Sequence, residues 1–430
     1  MPLLTSLRSL SPAALRLVWM RLFIYLGVQC AYFIGVVGTL TYVMGGGVKE
    51  NALGIVLLNG CIVLGSFVGG PLLDRIGPRR FFSVVVAALV FTSVAYQLLA
   101  QSVVGVLVGA ALLGASWGLG DLVAKSFPAY LTNDAEELKT MNSVIFTVSN
   151  AAVIVGPLMG GFVSAVASPQ AVFWLLGVCS LVALVPAAGF RPARDPRAAA
   201  EGLARSTGDG DARSDDSLRA GFRSVFGSPA LALLFWSCFF SFFGYGAFDP
   251  LESLYYRDVL RVDVEWMGWL SAAAGVGGVV GSMLLMRLPA RRVNVRTLLA
   301  VLASEGVFAL LYVGTPWVAV ACAGQVLLGV AFGMLTPLLS TLVQTHAPLS
   351  TIGRVNAVMG FGNNVAGVAP LLCAPALAEV LGVQGTLVLA SLLVLCMPLA
   401  IGVARRKEIA LLADEESGHG VAVASDEGVS

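Results

Sequence analysis

The chain has 430 residues, 57% of them apolar and 12% charged, with a mean hydropathy of +0.87. A soluble domain carries about 25% charged residues, so this composition excludes a large water-solvated globule, and 22 Phe, 9 Tyr and 7 Trp exclude a disordered polymer. The 26 basic and 25 acidic residues leave a net charge of +1, which implies no polyanionic partner and no nucleic acid.

In chain order, Arg8 and Arg16 precede a first apolar stretch. That stretch is too long for a signal peptide and ends at no small-residue cleavage site, so it reads as a first span. A bilayer crossing needs about 20 apolar residues. The apolar runs predict spans at 17–43, 52–73, 81–100, 103–124, 143–165 and 171–189. After a polar interval come 230–255, 266–288, 296–314, 317–342, 355–380 and 385–404. Backbone inside lipid must satisfy its own hydrogen bonds, so runs of this length are helices, and none alternates as a barrel strand would. Cys30, Cys61, Cys179, Cys238, Cys322, Cys373 and Cys396 lie in these runs without a CxxC pair and read as buried free thiols. No metal site and no cofactor is expected.

Orientation follows from the basic residues. With a cytoplasmic N-terminus, every Lys and Arg falls on the cytoplasmic side except Lys49, Arg257 and Arg261. The positive-inside rule then puts both ends in the cytoplasm and implies an even number of spans. The expected organisation is a six-helix bundle over 1–189, a cytoplasmic linker over 190–228, a second six-helix bundle over 229–404 and a cytoplasmic tail over 405–430. The linker is rich in Arg, Asp, Ser, Gly and Pro. Its end, Leu218 to Phe226, alternates basic and apolar residues at helical spacing and could lie on the membrane surface. From Asp414 the tail is acidic and rich in small residues, as disordered segments are.

The most specific motif lies between the second and third spans: Gly70-Pro71-Leu72-Leu73-Asp74-Arg75-Ile76-Gly77-Pro78-Arg79-Arg80. A tight cytoplasmic turn suits Gly77 and Pro78. Asp74 stands where a carboxylate can bond the loop's own arginines or cap a neighbouring helix N-terminus. The pattern resembles the signature loop of the major facilitator superfamily, and the resemblance extends over essentially the whole chain. It implies an all-α membrane protein with twelve transmembrane helices in two pseudo-symmetric six-helix bundles (6+6) rocking around a central cavity. It also implies a place in the cytoplasmic gate for Gly70, Asp74, Arg75, Gly77, Arg79 and Arg80. The second half echoes the motif at Gly281-Ser282-Met283-Leu284-Leu285, ending at Arg291-Arg292. Leu285 stands there in place of the Asp, so a latch made there is one-sided.

Span five holds Gly156-Pro157-Leu158-Met159-Gly160-Gly161, where proline bends a helix and glycines admit a close neighbour. The residues Gly156, Pro157, Gly160 and Gly161 resemble the kink motif of the superfamily's drug–proton antiporters, which implies export. Span four departs from those exporters, because no arginine occurs from Val103 to Leu122. Pro128-Ala129-Tyr130-Leu131 running into Asn142 resembles the connection found in exporters of the transmembrane secretion-effector type.

Ionisable groups inside lipid are costly and so are functional candidates. Asp121 and Lys125 are one helical turn apart; they form an interfacial pair, or Asp121 joins Arg21 in a pair that breaks on gating. Arg21, Tyr25, Gln29 and Tyr32 make one polar stripe along span one. Glu305 lies roughly 15 Å into span nine at helical rise, where a charge is expensive, so it is a candidate to take up and release protons. Asp249 and Glu252 flank Pro250 in a Gly/Pro-interrupted span seven, a pattern that points to transporter sites. Glu305, Asp249, Glu252 and Asp121 are therefore the proton-coupling candidates. Trp236, Phe240 and Phe243 offer a greasy wall, and Gln325, Thr336, Asn356 and Asn363 offer uncharged polar stripes that serve substrate or interhelical hydrogen bonds.

Together these features predict a secondary transporter of the plasma membrane. It would act as a monomer and export a small amphipathic or drug-like compound by alternating access in exchange for protons. The alternative is a facilitator or proton symporter importing a small metabolite, which the arginine-free span four keeps open. An enzyme is not expected, since His346 and His419 fall in a loop and the tail and no reactive constellation lies in the spans. The absence of a Walker loop excludes a nucleotide-driven pump.

Overall fold

The computed structural model describes residues 10–132, 135–189, 214–289, 292–347 and 352–412. Arg8, residues 190–213 of the expected linker (190–228), Arg291 and residues 413–430 of the expected tail (405–430) lie outside them. Among the described residues every regular element is helical, and ten helices are long and apolar enough to cross a membrane. The chain divides into two compact units, Met1–Gly210 with Arg261–Ala272, and Asp211–Leu260 with Ala273–Ser430.

In the first unit, α1 (Pro12–Cys30) starts where Pro12 fixes φ and the Ser11 hydroxyl accepts from the Ala14 N–H at 3.3 Å. It continues over Ala31–Val43 as a π-helix. The run expected as one regular helix over 17–43 therefore changes its winding after Cys30, because backbone bonds there span five residues rather than four.

The helix α2 (Val48–Leu99) has 52 residues and is broken at Gly77, whose φ of 75° and ψ of 163° are non-helical. A straight rod of that length would run about 78 Å, against about 30 Å of bilayer hydrocarbon. Only glycine adopts this positive φ cheaply, so the turn expected between the second and third spans falls there. The unit is completed by α3 (Val103–Ser126), a 3-10 turn Phe127–Tyr130, α4 (Ala135–Val166), α5 (Val172–Val182) and α6 (Leu184–Ala188).

Packing between α2 and α3 is backbone against backbone. A methyl on Gly114 or Gly118 would strike the carbonyl oxygens of Leu58 or Ile62, and one on Gly65 that of Ala115. Small residues allow this approach, and dispersion between close backbones replaces the hydrophobic drive that lipid removes. Leu17, Phe81, Tyr96, Leu113 and Phe173 are fully buried in the unit's core. Tyr96 stacks on Phe173 with ring centroids 3.5 Å apart and donates to the Gly35 carbonyl at 2.7 Å.

The second unit begins with α7 (Ser214–Gly227), followed by α8 (Pro229–Tyr245), α9 (Phe248–Leu254) and π-helical turns at Tyr255–Leu260. The first turns of α10 (Glu265–Met286) count with the first unit and the remainder with the second. After it come α11 (Val295–Val313), α12 (Val318–His346) and α13 (Ile352–Ala404), the last broken at Gly382 with φ 73° and ψ 169°. The α2–α3 device recurs between α10 and α12: Gly277 and Gly281 lie on the carbonyls of Val326 and Val330, and Gly329 and Gly333 on those of Ala274 and Gly278. Leu234, Leu298, Leu302, Leu338 and Val355 are fully buried in this unit's core.

The outward faces are apolar too. Phe67 is 79% exposed and Val380 82%, and a surface so greasy is stable only against lipid.

Candidate functional site

In the first unit, the polar stripe of α1 meets α3 and α4. Arg21, 6% exposed, places Nη1 3.0 Å from Asp121 Oδ1 and donates from Nε to the Ser149 hydroxyl at 3.0 Å. Its guanidinium lies 4.0 Å from the Tyr25 ring centroid, over the electron-rich face. Lys125 reaches the other Asp121 oxygen at 3.3 Å from an exposed position. The two pairings weighed from the sequence thus coexist on a single carboxylate. Trp117 of α3 stands edge-on to Tyr25 at 5.8 Å and lies 6.0 Å from Tyr32. Gln29 is buried on the same helix.

The gate-loop residues bracket the Gly77 break. Asp74, Arg75, Arg79 and Arg80 are exposed, and Asp74 makes no ion pair with another described residue. Of the two roles expected of Asp74, a bond to the loop's arginines or a cap on a neighbouring helix N-terminus, the first is not seen among the described residues. Asp74 faces Tyr130, whose phenol is pushed above its ordinary value by burial first and by the Asp74 charge second. A methyl at Gly70 would meet open space, so its role is not one of close packing.

The kink residues of α4 are packing positions. A methyl at Gly156 would lie 2.7 Å from Gln29 Cβ, and one at Gly160 2.9 Å from Ile34. The Gly156 carbonyl accepts from the Cys30 thiol at 2.9 Å. Gly161 abuts Gly268 at the start of α10, and the Pro157 carbonyl lies 2.6 Å from where a Gly268 methyl would sit.

In the second unit, Glu305 of α11 is 0% exposed. One of its oxygens accepts from the Ser241 hydroxyl at 3.0 Å; the other, Oε1, has no hydrogen-bond partner, and neither does the nearby Tyr245 hydroxyl. No basic side chain pairs with it among the described residues.

Glu252 of α9 is the centre of a different arrangement. Its Oε1 accepts from the Tyr312 hydroxyl at 2.7 Å and from Gln325 Nε2 at 3.1 Å. The Tyr256 hydroxyl lies 2.6 Å from that of Tyr312 and accepts from Gln325 at 3.4 Å. With Tyr256 donating to Tyr312 and Tyr312 to Glu252, each phenol uses its single proton once. The neighbouring Asp249 is exposed and belongs to neither cluster.

Sequence reasoning found Glu252 and Gln325 but not that they meet. It missed Tyr256 and Tyr312, although Tyr256 stands one turn beyond Glu252 and Tyr312 two turns beyond Glu305. Of the other cavity candidates, Trp236 and Phe240 stack at 5.7 Å and line a cavity of about 430 Å³ with Phe226 and Ile401. Phe243 stacks on Phe239 at 6.3 Å. Thr336 is exposed and Asn363 half-buried, while the Asn356 side chain lies outside the described residues.

Long apolar helices with greasy outer faces, drawing carboxylates, phenols and an arginine inward, define a multi-pass membrane transporter. The sequence profile of the Major Facilitator Superfamily matches residues 17–371 and 239–421, and the chain belongs to that family. Its relatives include the multidrug efflux pump Tap of Mycolicibacterium fortuitum, 26% identical over 373 residues that cover 81% of this chain and 86% of Tap. The Tap pump of Mycobacterium tuberculosis (strain ATCC 25618 / H37Rv) is 26% identical over 366 residues, covering 78% and 80%. These relatives are transporters rather than enzymes. Among solved structures, a bacterial homologue of the iron transporter ferroportin in an inward-facing state superposes with a TM-score of 0.62 at 18% identity, covering 90% of this chain and 98% of that one. The nucleoside transporter NupG (D323A mutant) gives 0.64 at 10% identity, covering 91% and 99%. At such identities the likeness is one of fold.

Proposed function

We propose that this transporter exports small amphipathic or drug-like compounds from the cell across the plasma membrane in exchange for protons, with Glu305 as the coupling carboxyl. The observation that carries the coupling is the environment of Glu305. It is a fully buried carboxyl with one oxygen on Ser241, the other unpartnered and, among the described residues, no counter-ion. An uncompensated charge there costs several kcal/mol, so loading and unloading a proton changes the energy of the state that buries it. A two-state carrier biased in this way alternates its access between the two sides. The other candidates are less suited: Asp121 is held by two cations, Asp249 is exposed, and Glu252 has two donors on one oxygen. Kinship with Tap, a multidrug efflux pump, supports export.

The reading takes α2 and α13 each to cross the membrane twice, at the breaks of Gly77 and Gly382, which brings the ten apolar helices to twelve spans. Residues 1–189 and 229–404 are then the two six-helix halves, 190–228 a cytoplasmic linker and 405–430 a cytoplasmic tail. Both ends face the cytoplasm and the monomer is the working unit. Gly70, Asp74, Arg75, Gly77, Arg79 and Arg80 serve the cytoplasmic gate, and the Arg21–Asp121 pair opens with it.

In inside-out vesicles, an imposed proton gradient (acid inside) should drive uptake of a labelled amphipathic dye, and an uncoupler should abolish it. Uptake indifferent to the uncoupler would overturn proton coupling. The second reading, import by a facilitator or symporter, is favoured by the arginine-free stretch Val103 to Leu122. It would show as expression-dependent accumulation of substrate in whole cells rather than its exclusion.

A further inference from the structure

The cavity beside Trp236 is not used by the mechanism above, and its chemistry differs from that of the carboxylate clusters. It lies where α7, the start of α8 and the end of α13 meet. Phe226, Trp236, Phe240 and Ile401 form its apolar wall, and Arg405 and Glu408 stand at its polar end, enclosing about 430 Å³. Arg405 donates from Nη1 to both Glu408 oxygens, at 2.9 and 2.8 Å, yet its side chain is 60% exposed.

Exposed Arg406 and Lys407 follow Arg405, and exposed Arg223 lies one turn before Gly227, which also borders the cavity. Arg405 and Glu408 line the cavity itself, and three further exposed cations thus lie close to them in sequence or to Gly227 on its border. The helix α7 is held in place: a methyl at Gly221 would lie 3.2 Å from the Arg354 carbonyl oxygen. Its aromatic rings are left outward, Phe222 stacked on Phe226 at 6.1 Å and Phe226 edge-on to Phe235 at 5.0 Å.

An apolar trough that opens beside a basic cluster at the end of membrane spans matches one molecule in polarity. Acyl chains would fill the wall of Trp236 and Phe240, and a phosphate would meet Arg405. Aromatic side chains favour the headgroup boundary, and basic residues there attract anionic lipid. We propose that this cavity is a binding site for an anionic phospholipid, held by Arg405 and the adjoining Arg406, Lys407 and Arg223, and that the lipid seats α7 against α8 and α13. The proposal concerns a membrane-embedded chain but not what it carries or which carboxyl couples, so it stands or falls apart from the function proposed above.

The full-length protein would be reconstituted in phosphatidylcholine vesicles doped at equal mole fraction with brominated phosphatidylglycerol or brominated phosphatidylcholine, and tryptophan quenching measured. The contribution of Trp236 among the seven tryptophans is the difference from Trp236→Phe. It should be quenched at lower mole fraction by the anionic lipid. Arg405→Gln should weaken that preference, by about five-fold for one near-surface charge. Glu408→Gln, which releases Arg405 from its partner, should strengthen it. Opposite signs distinguish lipid binding from a structural ion pair, for which both exposed substitutions would act alike. Equal quenching of Trp236 by the two lipids, or loss of preference in both variants, would overturn the proposal.

Discussion

Two carboxyls of the second unit invite opposite expectations because their partners differ. Glu252 has donors from Tyr312 and Gln325, whereas Glu305 has one hydroxyl and a bare oxygen. Glu305→Gln keeps the shape and the Ser241 bond but cannot exchange a proton, so transport should lose its pH dependence. A pH profile of dye efflux checks this, and an unchanged profile would move the coupling role to Glu252. In the first unit, Asp121→Asn would leave Arg21 largely buried without its carboxylate. That should cost toward the lower end of the about 3–5 kcal/mol seen when buried pairs are broken, since Ser149 and the Tyr25 ring remain. Combining it with Arg21→Gln should recover part of the loss, with a coupling energy of about 1–3 kcal/mol. Thermal unfolding of the four proteins of this cycle in detergent gives that number, and simple additivity would show that the pair does not interact.

Helices were the most legible elements, for a physical reason: lipid permits a single way to satisfy a lone backbone segment, and apolar length alone reveals it. The break between the second and third spans was readable at Gly77 because turn chemistry is local. The Glu252 cluster was not, because Tyr312 and Gln325 meet it only through the mutual rotation of α9, α11 and α12, which no single helix encodes. The change to π winding after Cys30 was equally hidden. Helix contacts through glycine fall between these cases, since small residues one turn apart are visible but their partner helix is not. Gly118 is a strict case, since a methyl there would strike the Ile62 carbonyl oxygen and meet the Ser66 amide at 2.8 Å. Gly118→Leu should force α2 from α3 at a cost of about 3 kcal/mol or more, whereas the same change at Gly60, which faces open space, should be nearly neutral. The midpoints of thermal unfolding of the two variants decide it; equal midpoints would mean that the contact carries no stability.

At the scale of the whole molecule, the repeated glycine contact (α2 on α3, α10 on α12) shows one packing solution used in both parts of the chain, carried by the Gly-x-x-x-Gly pairs Gly114/Gly118, Gly277/Gly281 and Gly329/Gly333. The gate motif is not repeated so faithfully, for Leu285 packs against the second core where an acid would be expected. The number of crossings then rests on α2 and α13, and a helix crossing once differs from one crossing twice in where its ends emerge. If α13 turns back at Gly382, Arg354 and Arg405 emerge on one side of the membrane and Leu381 on the other. If α2 turns at Gly77, Lys49 and Gln101 share the outer side and Arg79 the inner. Single cysteines at these six positions, in a chain whose seven native cysteines are replaced, can be tested with a membrane-impermeant thiol reagent on intact cells. Label should reach Lys49→Cys, Gln101→Cys and Leu381→Cys from outside, and the other three only after the membrane is opened. Labelling of Arg354→Cys and Arg405→Cys from opposite sides would make α13 a single crossing and leave the chain an odd number of spans. The carboxyl-terminal arginines, and with them the lipid-facing end of α13, would then lie in the outer compartment, against the charge asymmetry that orients every other loop.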